Sequence, residues 1–288
     1  MRAPAMRVLL TGASGGIGQA MARRLRAAGA AVLGVGRGER PMQDVAAATN
    51  PHATLVASEG STRSAARGAP EGTAGGTTEN VSDWVQADLT TADAVARIAE
   101  AAAAWRANVV VHAAGLPAFG AMARTPSGQM QAVLQTNLLA PMSLTQALLP
   151  HLLRQPEAQV VFVGSALGRI GVPGFSVYGA SKAGLHGFAE ALRRELAGTS
   201  VRVKTLGPRS TRTGFNGSAV EAFNVATGTA MDRPEAVADA LLRLLEGGQA
   251  ERFLGFPERL AVRLNGALGA WLDNGFNKHR RHLDTLAS

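Results

Sequence analysis

The chain has 288 residues, of which 46% are hydrophobic and only 17% charged, and it contains no cysteine. This composition is typical of one large α/β domain with a substantial core and excludes a disordered chain. The absence of cysteine excludes disulfides, thiolate zinc sites and a cysteine nucleophile, and it is compatible with a reducing compartment.

The net charge of +8 raises the question of a nucleic-acid or membrane partner. The basic residues form short clusters in separate segments, without interleaved aromatic residues for base stacking, so we predict no nucleic-acid partner. No apolar run approaches the length of about 18 residues that a membrane span needs, and residues 1–10 lack the apolar stretch of a signal peptide. We therefore expect a cytoplasmic protein, and we predict no metal site.

The first elements of the chain are predicted to be a strand, a turn and a helix. An apolar run at Arg7–Thr11 leads into a glycine-rich turn, and apolar residues then recur at helical spacing up to Gly29. A second apolar run at residues 31–35 completes a βαβ unit. Further strands are predicted at residues 81–86, 108–112, 159–163, 201–206 and 252–255. Because helical segments separate these runs, we predict a Rossmann-type, doubly wound parallel sheet with ligands at the carboxyl ends of its strands.

Two segments do not fit this alternation and set the domain boundaries. Residues 53–80 are rich in Gly, Ala, Ser and Thr without a sustained period, which predicts a flexible surface insertion or a functional loop. Residues 257–288 combine apolar positions at helical spacing with a basic end at 277–282, which predicts an amphipathic helical extension. We predict one domain over residues 1–256. The extension is expected over the pocket, at a subunit interface or, least favoured, at an anionic membrane surface.

The turn after the first strand has the pattern of a dinucleotide site. Residues 11–18 read Thr-Gly-Ala-Ser-Gly-Gly-Ile-Gly, between a predicted strand and a predicted helix. Glycines let the backbone approach a pyrophosphate, and the N-terminus of the helix offers N–H donors and a positive dipole end. The predicted cofactor contacts in this loop are Gly12, Ser14, Gly16, Ile17 and Gly18.

The end of the second strand indicates which dinucleotide binds. A carboxylate there would accept hydrogen bonds from the free ribose hydroxyls of NAD, but this chain has Gly36 followed by Arg37. The Arg37 guanidinium suits a ribose 2′-phosphate, so we predict NADP(H) over NAD(H); the alternative is a solvated loop charge. Asp88, after the third strand, is predicted to accept from the adenine amino group, to cap the following helix, or both.

The candidate catalytic residues lie in the second half of the chain. Tyr178 is the only tyrosine and precedes Lys182 by four residues, which puts both on one face of a helix. A nearby ammonium favours the phenolate and is expected to bring the phenol pKa closer to neutral; the alternative is a tyrosine beside a snorkelling lysine. Ser165 follows the strand at 159–163, where its hydroxyl would hold a substrate oxygen. Asn137 is disfavoured inside a helix, so its amide is expected to bind a partner.

With these residues, the chain resembles the short-chain dehydrogenase/reductase family in its classical form. Four motifs match in order: the glycine loop, Asp88, Asn137, and Ser165 with Tyr178 and Lys182. The resemblance implies hydride transfer between NADP(H) and a ketone or secondary alcohol. It implies that Tyr178 is the acid/base, that Lys182 lowers its pKa and binds the nicotinamide ribose, and that Ser165 orients the carbonyl. Asn137 would hold a water that links Lys182 to solvent.

The resemblance spans roughly residues 7–255, with the insertion and two further departures. Where the family has Asn-Asn-Ala-Gly after the fourth strand, this chain reads His112-Ala-Ala-Gly, and we interpret His112 as a structural histidine. The family's Pro-Gly after the sixth strand is reversed here, so either Thr211 or Thr213 is expected to contact the nicotinamide. The remaining predicted cofactor contacts are Leu89, Ala114 and Gly115.

The family's substrate lid follows the sixth strand, which corresponds to residues 209–234 here. Phe215 and Phe223 are expected to line an apolar pocket for a ketone, acyl or polyketide-like substrate. Arg209 or Arg212 is expected either to meet an anionic group of the substrate or to lie exposed in a mobile loop.

The resemblance also implies a homodimer or homotetramer, with the predicted helices at 130–149 and 178–196 as candidate contact faces. The same fold is compatible with two other functions. A nonenzymatic NAD(P)-sensing regulator has no need of Ser165, Tyr178 and Lys182. An epimerase or dehydratase is disfavoured because the glycine loop has the classical spacing, which is the wrong variant for those enzymes.

Overall fold

The structure is a computed structural model that describes residues 1–2, 5–39, 83–255 and 273–285. In these residues seven parallel strands form one sheet in the order β3-β2-β1-β4-β5-β6-β7. The predicted doubly wound sheet is confirmed. Its strands are β1 Arg7–Thr11, β2 Ala31–Gly36, β3 Trp84–Gln86, β4 Val109–His112, β5 Ala158–Val163, β6 Val201–Gly207 and β7 Glu251–Phe253.

Helices cover both faces of the sheet. Alternate residues of β1 point to opposite faces, and both faces are buried: Val8 and Leu10 belong to one apolar cluster and Leu9 to the other. The helices are α1 Gly16–Ala27, α2 Ala92–Ala104, α3 Ser127–Leu134, α4 Ala140–Leu152, α5 Ser176–Glu195, α6 Ser218–Thr227, α7 Pro234–Glu246 and α8 Asn277–Thr285.

The direction of winding reverses at β1, which fixes the place of the site. β1 pairs with β2 on one side and with β4 on the other, and Thr11 lies level with both Val35 and His112. The carboxyl ends of the three strands therefore form one edge. In doubly wound sheets a ligand crevice opens at this edge, where the strand order reverses.

The predicted helix at 130–149 is interrupted in the structure. α3 ends at Leu134, a π-helical turn covers Gln135–Leu139, and α4 then continues. A π-helical turn holds one residue more than an α-helical turn and is frequent at functional sites. Asn137 lies in this turn and is fully buried.

The C-terminal segment is described in part. The predicted basic end forms α8, which packs against α6. The predicted insertion at 53–80 and the apolar positions at 260–272 lie outside the described residues. Within the described ranges, no helix is both long and apolar enough to cross a membrane.

Candidate active site

A cavity of about 1500 Å³ follows the carboxyl edge of the sheet. It begins at the glycine loop, passes the ends of β2, β4 and β5, and reaches α6 and α8. All the predicted cofactor contacts line this cavity, and so do the predicted catalytic residues except Asn137. The structure therefore brings the predicted cofactor and catalytic residues into one continuous space.

The glycine loop packs closely against protein backbone, so side chains have no room at two of its glycines. Gly12 has a φ of +67°, and a Cβ there would lie 2.7 Å from the backbone of Ala114. A Cβ at Gly18 would lie 2.1 Å from the carbonyl oxygen of Gly12. α1 begins at Gly16 with no side-chain cap and no acidic residue in its first turn. Its first N–H groups and its positive dipole end are thus available to an anion, which fits a dinucleotide pyrophosphate.

The end of β2 has no room for a carboxylate. A Cβ at Gly36 would lie 2.7 Å from the indole ring of Trp84 and 3.0 Å from the Ser14 hydroxyl. The next residue, Arg37, is exposed and lines the cavity. This end of the cavity therefore carries a positive charge and no acidic group on β2.

Asp88 faces the same end of the cavity as an ionised carboxylate. Its Oδ1 accepts from the Thr90 N–H at 2.9 Å and from the Thr90 hydroxyl at 2.8 Å. These two bonds, together with the charge of Arg37, lower the pKa of Asp88. The helix-cap alternative for Asp88 is wrong, because Thr91 caps α2 by accepting from Ala94 N–H at 3.3 Å.

Three predicted catalytic side chains meet at the end of β5. Ser165 lies two residues after the end of β5. Its hydroxyl accepts from the Leu167 N–H at 3.1 Å and hydrogen-bonds to Tyr178. α5 presents Tyr178 and Lys182 on one face, as the spacing predicts. Lys182 Nζ donates to the Val163 carbonyl at 3.0 Å and lies 5.9 Å from the Tyr178 ring centre.

The expected lowering of the Tyr178 pKa is wrong for this structure. Burial raises the pKa of Tyr178 to about 12, and the hydrogen bond from Ser165 acts in the opposite direction without cancelling it. Burial also lowers the pKa of Lys182 to about 8. Desolvation disfavours the charged form of each group, and it is the largest cause of both shifts. At neutral pH the site therefore holds a neutral phenol beside an ammonium group.

Asn137 ties two parts of the site together. Its Oδ1 accepts from the Leu116 N–H at 2.7 Å, and its Nδ2 donates to the Leu116 carbonyl and to the Ser181 hydroxyl, both at 3.0 Å. Ser181 in turn donates to the Tyr178 carbonyl at 2.7 Å. The predicted engagement of this amide thus involves the loop after β4 and the second turn of α5.

His112 has the contacts of a structural histidine. Its Nε2 lies 2.9 Å from the Thr145 hydroxyl, and that hydroxyl donates to the Pro141 carbonyl at 2.7 Å. Nε2 is therefore the donor toward Thr145. The ring stacks on Phe162 at 5.0 Å, and burial lowers the pKa of His112 to about 3, so the ring is neutral.

The two lid threonines have different surroundings. Thr211 is buried, and its hydroxyl donates to the Arg209 carbonyl at 3.0 Å. Thr213 lies over the glycine loop, since a Cβ at Gly16 would lie 2.8 Å from the Thr213 methyl. Both line the cavity, but Thr213 is the one that contacts the predicted cofactor loop.

The predicted lid residues divide between the cavity and other contacts. Phe215 lies edge-on to Tyr178 at 6.1 Å, and both Phe215 and Phe223 line the cavity. Arg209 lines it too but is engaged in an ion pair with Asp232 at 2.8 Å. Arg212 is exposed and does not line it.

Several residues of the site were not singled out in the sequence. Their local signals are weak: Ser181 is a small polar residue directly before Lys182, and the aromatic residues after β4 and β5 follow no period. One of the expected positions of the C-terminal extension is over the pocket, and Phe276 and His279 of this segment line the cavity. The additional lining or bracing residues are Trp84, Phe119, Phe175, Ser181, Phe276 and His279.

Comparisons with known proteins agree with this geometry. The sequence model of the short chain dehydrogenase family matches residues 6–67 and 53–223. The chain belongs to this family. A protein of Staphylococcus epidermidis named an uncharacterized oxidoreductase is 28% identical over 200 residues, which cover 69% of this chain and 75% of that protein. A ketoacyl reductase, HetN, from Nostoc sp. is 34% identical over 146 residues, half of each protein.

The fold also matches solved structures. A short-chain dehydrogenase from Burkholderia cenocepacia in complex with NADP superposes with a TM-score of 0.72 at 21% identity, over 96% of this chain and 99% of that chain. As a member of the short-chain dehydrogenase family, the protein is an NAD(P)-dependent oxidoreductase.

Proposed function

We propose that the protein interconverts a ketone and a secondary alcohol with NADP(H), and that Tyr178 transfers the proton. One observation carries this proposal. One continuous cavity has Arg37 at one end, where β2 carries no carboxylate, and Ser165, Tyr178 and Lys182 further along. The similarity to a ketoacyl reductase over half of the chain supports a ketone as substrate.

The residues that would hold the dinucleotide are those along the first half of the cavity. The glycine loop and the N-terminus of α1 would hold the pyrophosphate, and Arg37 the ribose 2′-phosphate. NADP(H) is favoured over NAD(H) because Trp84 fills the space in which a residue with a carboxylate would stand at Gly36. Lys182 and Thr213 would meet the nicotinamide end.

The site residues handle the proton. When bound, the dinucleotide supplies or accepts the two electrons and the hydrogen that the substrate carbon gains or loses. In the direction of reduction, the Ser165 and Tyr178 hydroxyls donate hydrogen bonds to the carbonyl oxygen. As negative charge develops on that oxygen, the Tyr178 proton moves to it from the phenol oxygen.

The charge of Lys182 stabilises the Tyr178 phenolate that remains after the proton has left. A pKa of about 12 keeps Tyr178 protonated and ready to donate at neutral pH, and a pKa of about 8 keeps most Lys182 side chains charged. The ammonium and the Ser165 hydrogen bond both favour the phenolate that forms. This arrangement suits reduction of the carbonyl.

Asn137 would act in this scheme as a positioning residue. Its three hydrogen bonds hold Leu116 and, through Ser181, the Tyr178 backbone. The bonds restrict where the phenol lies relative to the loop after β4. A water held by Asn137 for proton relay stays a prediction.

The assembly is expected to be a homodimer or homotetramer. The helical surface around α3 and α4 exposes two large apolar side chains, Leu134 at 38% and Leu139 at 45%. Exposed apolar side chains on adjacent turns support this surface as a subunit contact.

The test of the proposed function is a titration of the purified protein with NADPH and with NADH, followed by nicotinamide fluorescence. A panel of ketones and aldehydes is then added and cofactor oxidation is recorded. Tighter binding of NADPH and its oxidation by a ketone are the expected results. Binding of NADPH without turnover on any carbonyl would favour the sensing regulator instead, and binding of neither dinucleotide would contradict the cofactor site.

A further inference from the structure

Beyond the catalytic residues, the cavity continues into a space that we call the distal compartment. It is bounded by Phe119, Phe175 and Phe223, whose ring centres lie 4.8 to 5.9 Å from one another, and by Phe276 and His279 of the C-terminal segment. Aromatic side chains dominate its wall. An apolar substrate arm, either alkyl or aryl, is the group that such a wall favours.

Polar groups on the α6 side of this compartment are bonded to each other. The Thr227 hydroxyl donates to the Phe223 carbonyl at 2.8 Å and lies 2.8 Å from the Thr229 hydroxyl. Asn224 is buried, and its Nδ2 donates to the Ser210 hydroxyl at 2.8 Å. These side chains therefore have partners within the protein and are poor candidates for hydrogen bonds to a substrate.

His279 differs from these groups. It lies between two rings of the compartment, 5.7 Å from Phe223 and 5.3 Å from Phe276, and it lines the cavity. Its Nδ1 is buried and has no hydrogen-bond partner among the described residues. A buried polar atom without a partner costs about 1–3 kcal/mol, and a ligand atom that bonds it removes that cost.

The helix that carries His279 is held in place by contacts with the rest of the fold. α8 packs against α6, and Leu283 of α8 reaches the loop before α5. There Gly174 has a φ of +87°, and a Cβ on it would lie 3.1 Å from Leu283 and 2.7 Å from Phe119. The absence of a side chain at Gly174 thus lets α8 lie close to the aromatic wall.

We propose that His279 is a specificity-determining residue that hydrogen-bonds a neutral polar group at the far end of an otherwise apolar ketone substrate. The proposal rests on the function proposed above and names the substrate class of that site: a ketone whose alkyl or aryl arm ends in a hydroxyl or carbonyl group. Burial, Lys278 and His282 all lower the pKa of His279, so the neutral ring offers one donor and one acceptor. A neutral polar group matches a neutral ring better than a carboxylate does.

The test uses pairs of ketones that differ in one group. Straight-chain methyl ketones of increasing length are each compared with the analogue that carries a terminal hydroxyl. For the wild type, kcat/KM is expected to favour the hydroxyl analogue by about tenfold at one chain length, which corresponds to about 1.4 kcal/mol. His279→Phe keeps an aromatic ring between Phe223 and Phe276 but removes both hydrogen-bonding atoms, and it is expected to abolish the preference.

Two further variants separate this role from a structural one. Arg280→Ala alters the same helix at an exposed position and is expected to keep the preference. His279→Gln restores a hydrogen-bonding side chain and is expected to recover part of it. A wild type without any preference, or a preference that His279→Phe leaves intact, would overturn the proposal.

A binding measurement distinguishes failure of this inference from failure of the proposed function. Calorimetry with the same ketone pairs records the discrimination without any turnover. Discrimination that depends on His279, with no oxidation of NADPH, would support the distal compartment and contradict the reductase. Turnover of both ketones with equal affinity would support the reductase and overturn the role of His279.

Discussion

Acidification is expected to destabilise the protein through His112. The folded-state pKa of this buried ring is about 3 and the reference value is 6.5, so between these values the unfolded chain binds the additional proton. The contribution of His112 to stability is therefore fully present above pH 6.5 and is lost as the pH falls toward 3. Between about pH 7 and about pH 5 the linkage relation gives a loss of about 2 kcal/mol from this one group.

The assay is urea unfolding at both pH values for the wild type and for His112→Asn. Asparagine does not titrate and keeps a polar group near Thr145, so all other titrating groups cancel in the comparison. The free energy of unfolding of the wild type is expected to fall by about 2 kcal/mol more than that of the variant. Equal losses in the two proteins would refute the reasoning, because His112 would then be no harder to protonate in the fold than in the unfolded chain.

Two further substitutions test the positioning role of Asn137 and the preference for NADP(H). Asn137→Leu removes three hydrogen bonds and is expected to lower the free energy of unfolding by about 3 kcal/mol in urea, at about 1 kcal/mol per bond. Gln129→Ala, at an exposed position on the preceding helix, should change the free energy of unfolding by less than about 0.5 kcal/mol. Similar values for the two variants would show that the Asn137 hydrogen bonds do not stabilise the fold. Arg37→Ala is expected to weaken NADPH binding about 10- to 100-fold, the value of charge-assisted hydrogen bonds, while NADH binding measured by fluorescence hardly changes. An equal loss for both dinucleotides would show that Arg37 does not meet the 2′-phosphate.

Much of the fold could be predicted because the strands are short, apolar and separated by glycine or helical segments. β1 has its predicted bounds, and β2 extends only one residue further, to Gly36. The π-helical turn at Asn137 could not be predicted from local propensity, because it depends on hydrogen bonds to Leu116 and Ser181, which are distant in sequence. A short helix such as α8 is likewise placed by what it docks against, and its own charge pattern does not reveal that partner.

The candidate site could be predicted where one residue type has one chemical role. Examples are Ser165 after a strand end and, beyond it, Tyr178 and Lys182 at helical spacing. The reason for a glycine at position 36 could not be predicted, because it is the ring of Trp84 on the neighbouring strand that fills the space of a side chain there. The direction of the Tyr178 pKa shift could not be predicted either. It depends on how deeply the folded chain buries the phenol, and residue spacing does not give burial.

The proton transfer assigned to Tyr178 is the central claim, and Tyr178→Phe with a ketone that the wild type reduces tests it most directly. The substitution removes only the phenol oxygen and keeps the ring against Phe215. NADPH affinity, measured by fluorescence on the same samples, is expected to stay within about twofold, and kcat to fall by about 10²- to 10⁴-fold, the usual effect of losing a general acid. Unchanged kcat with intact NADPH binding would contradict the account.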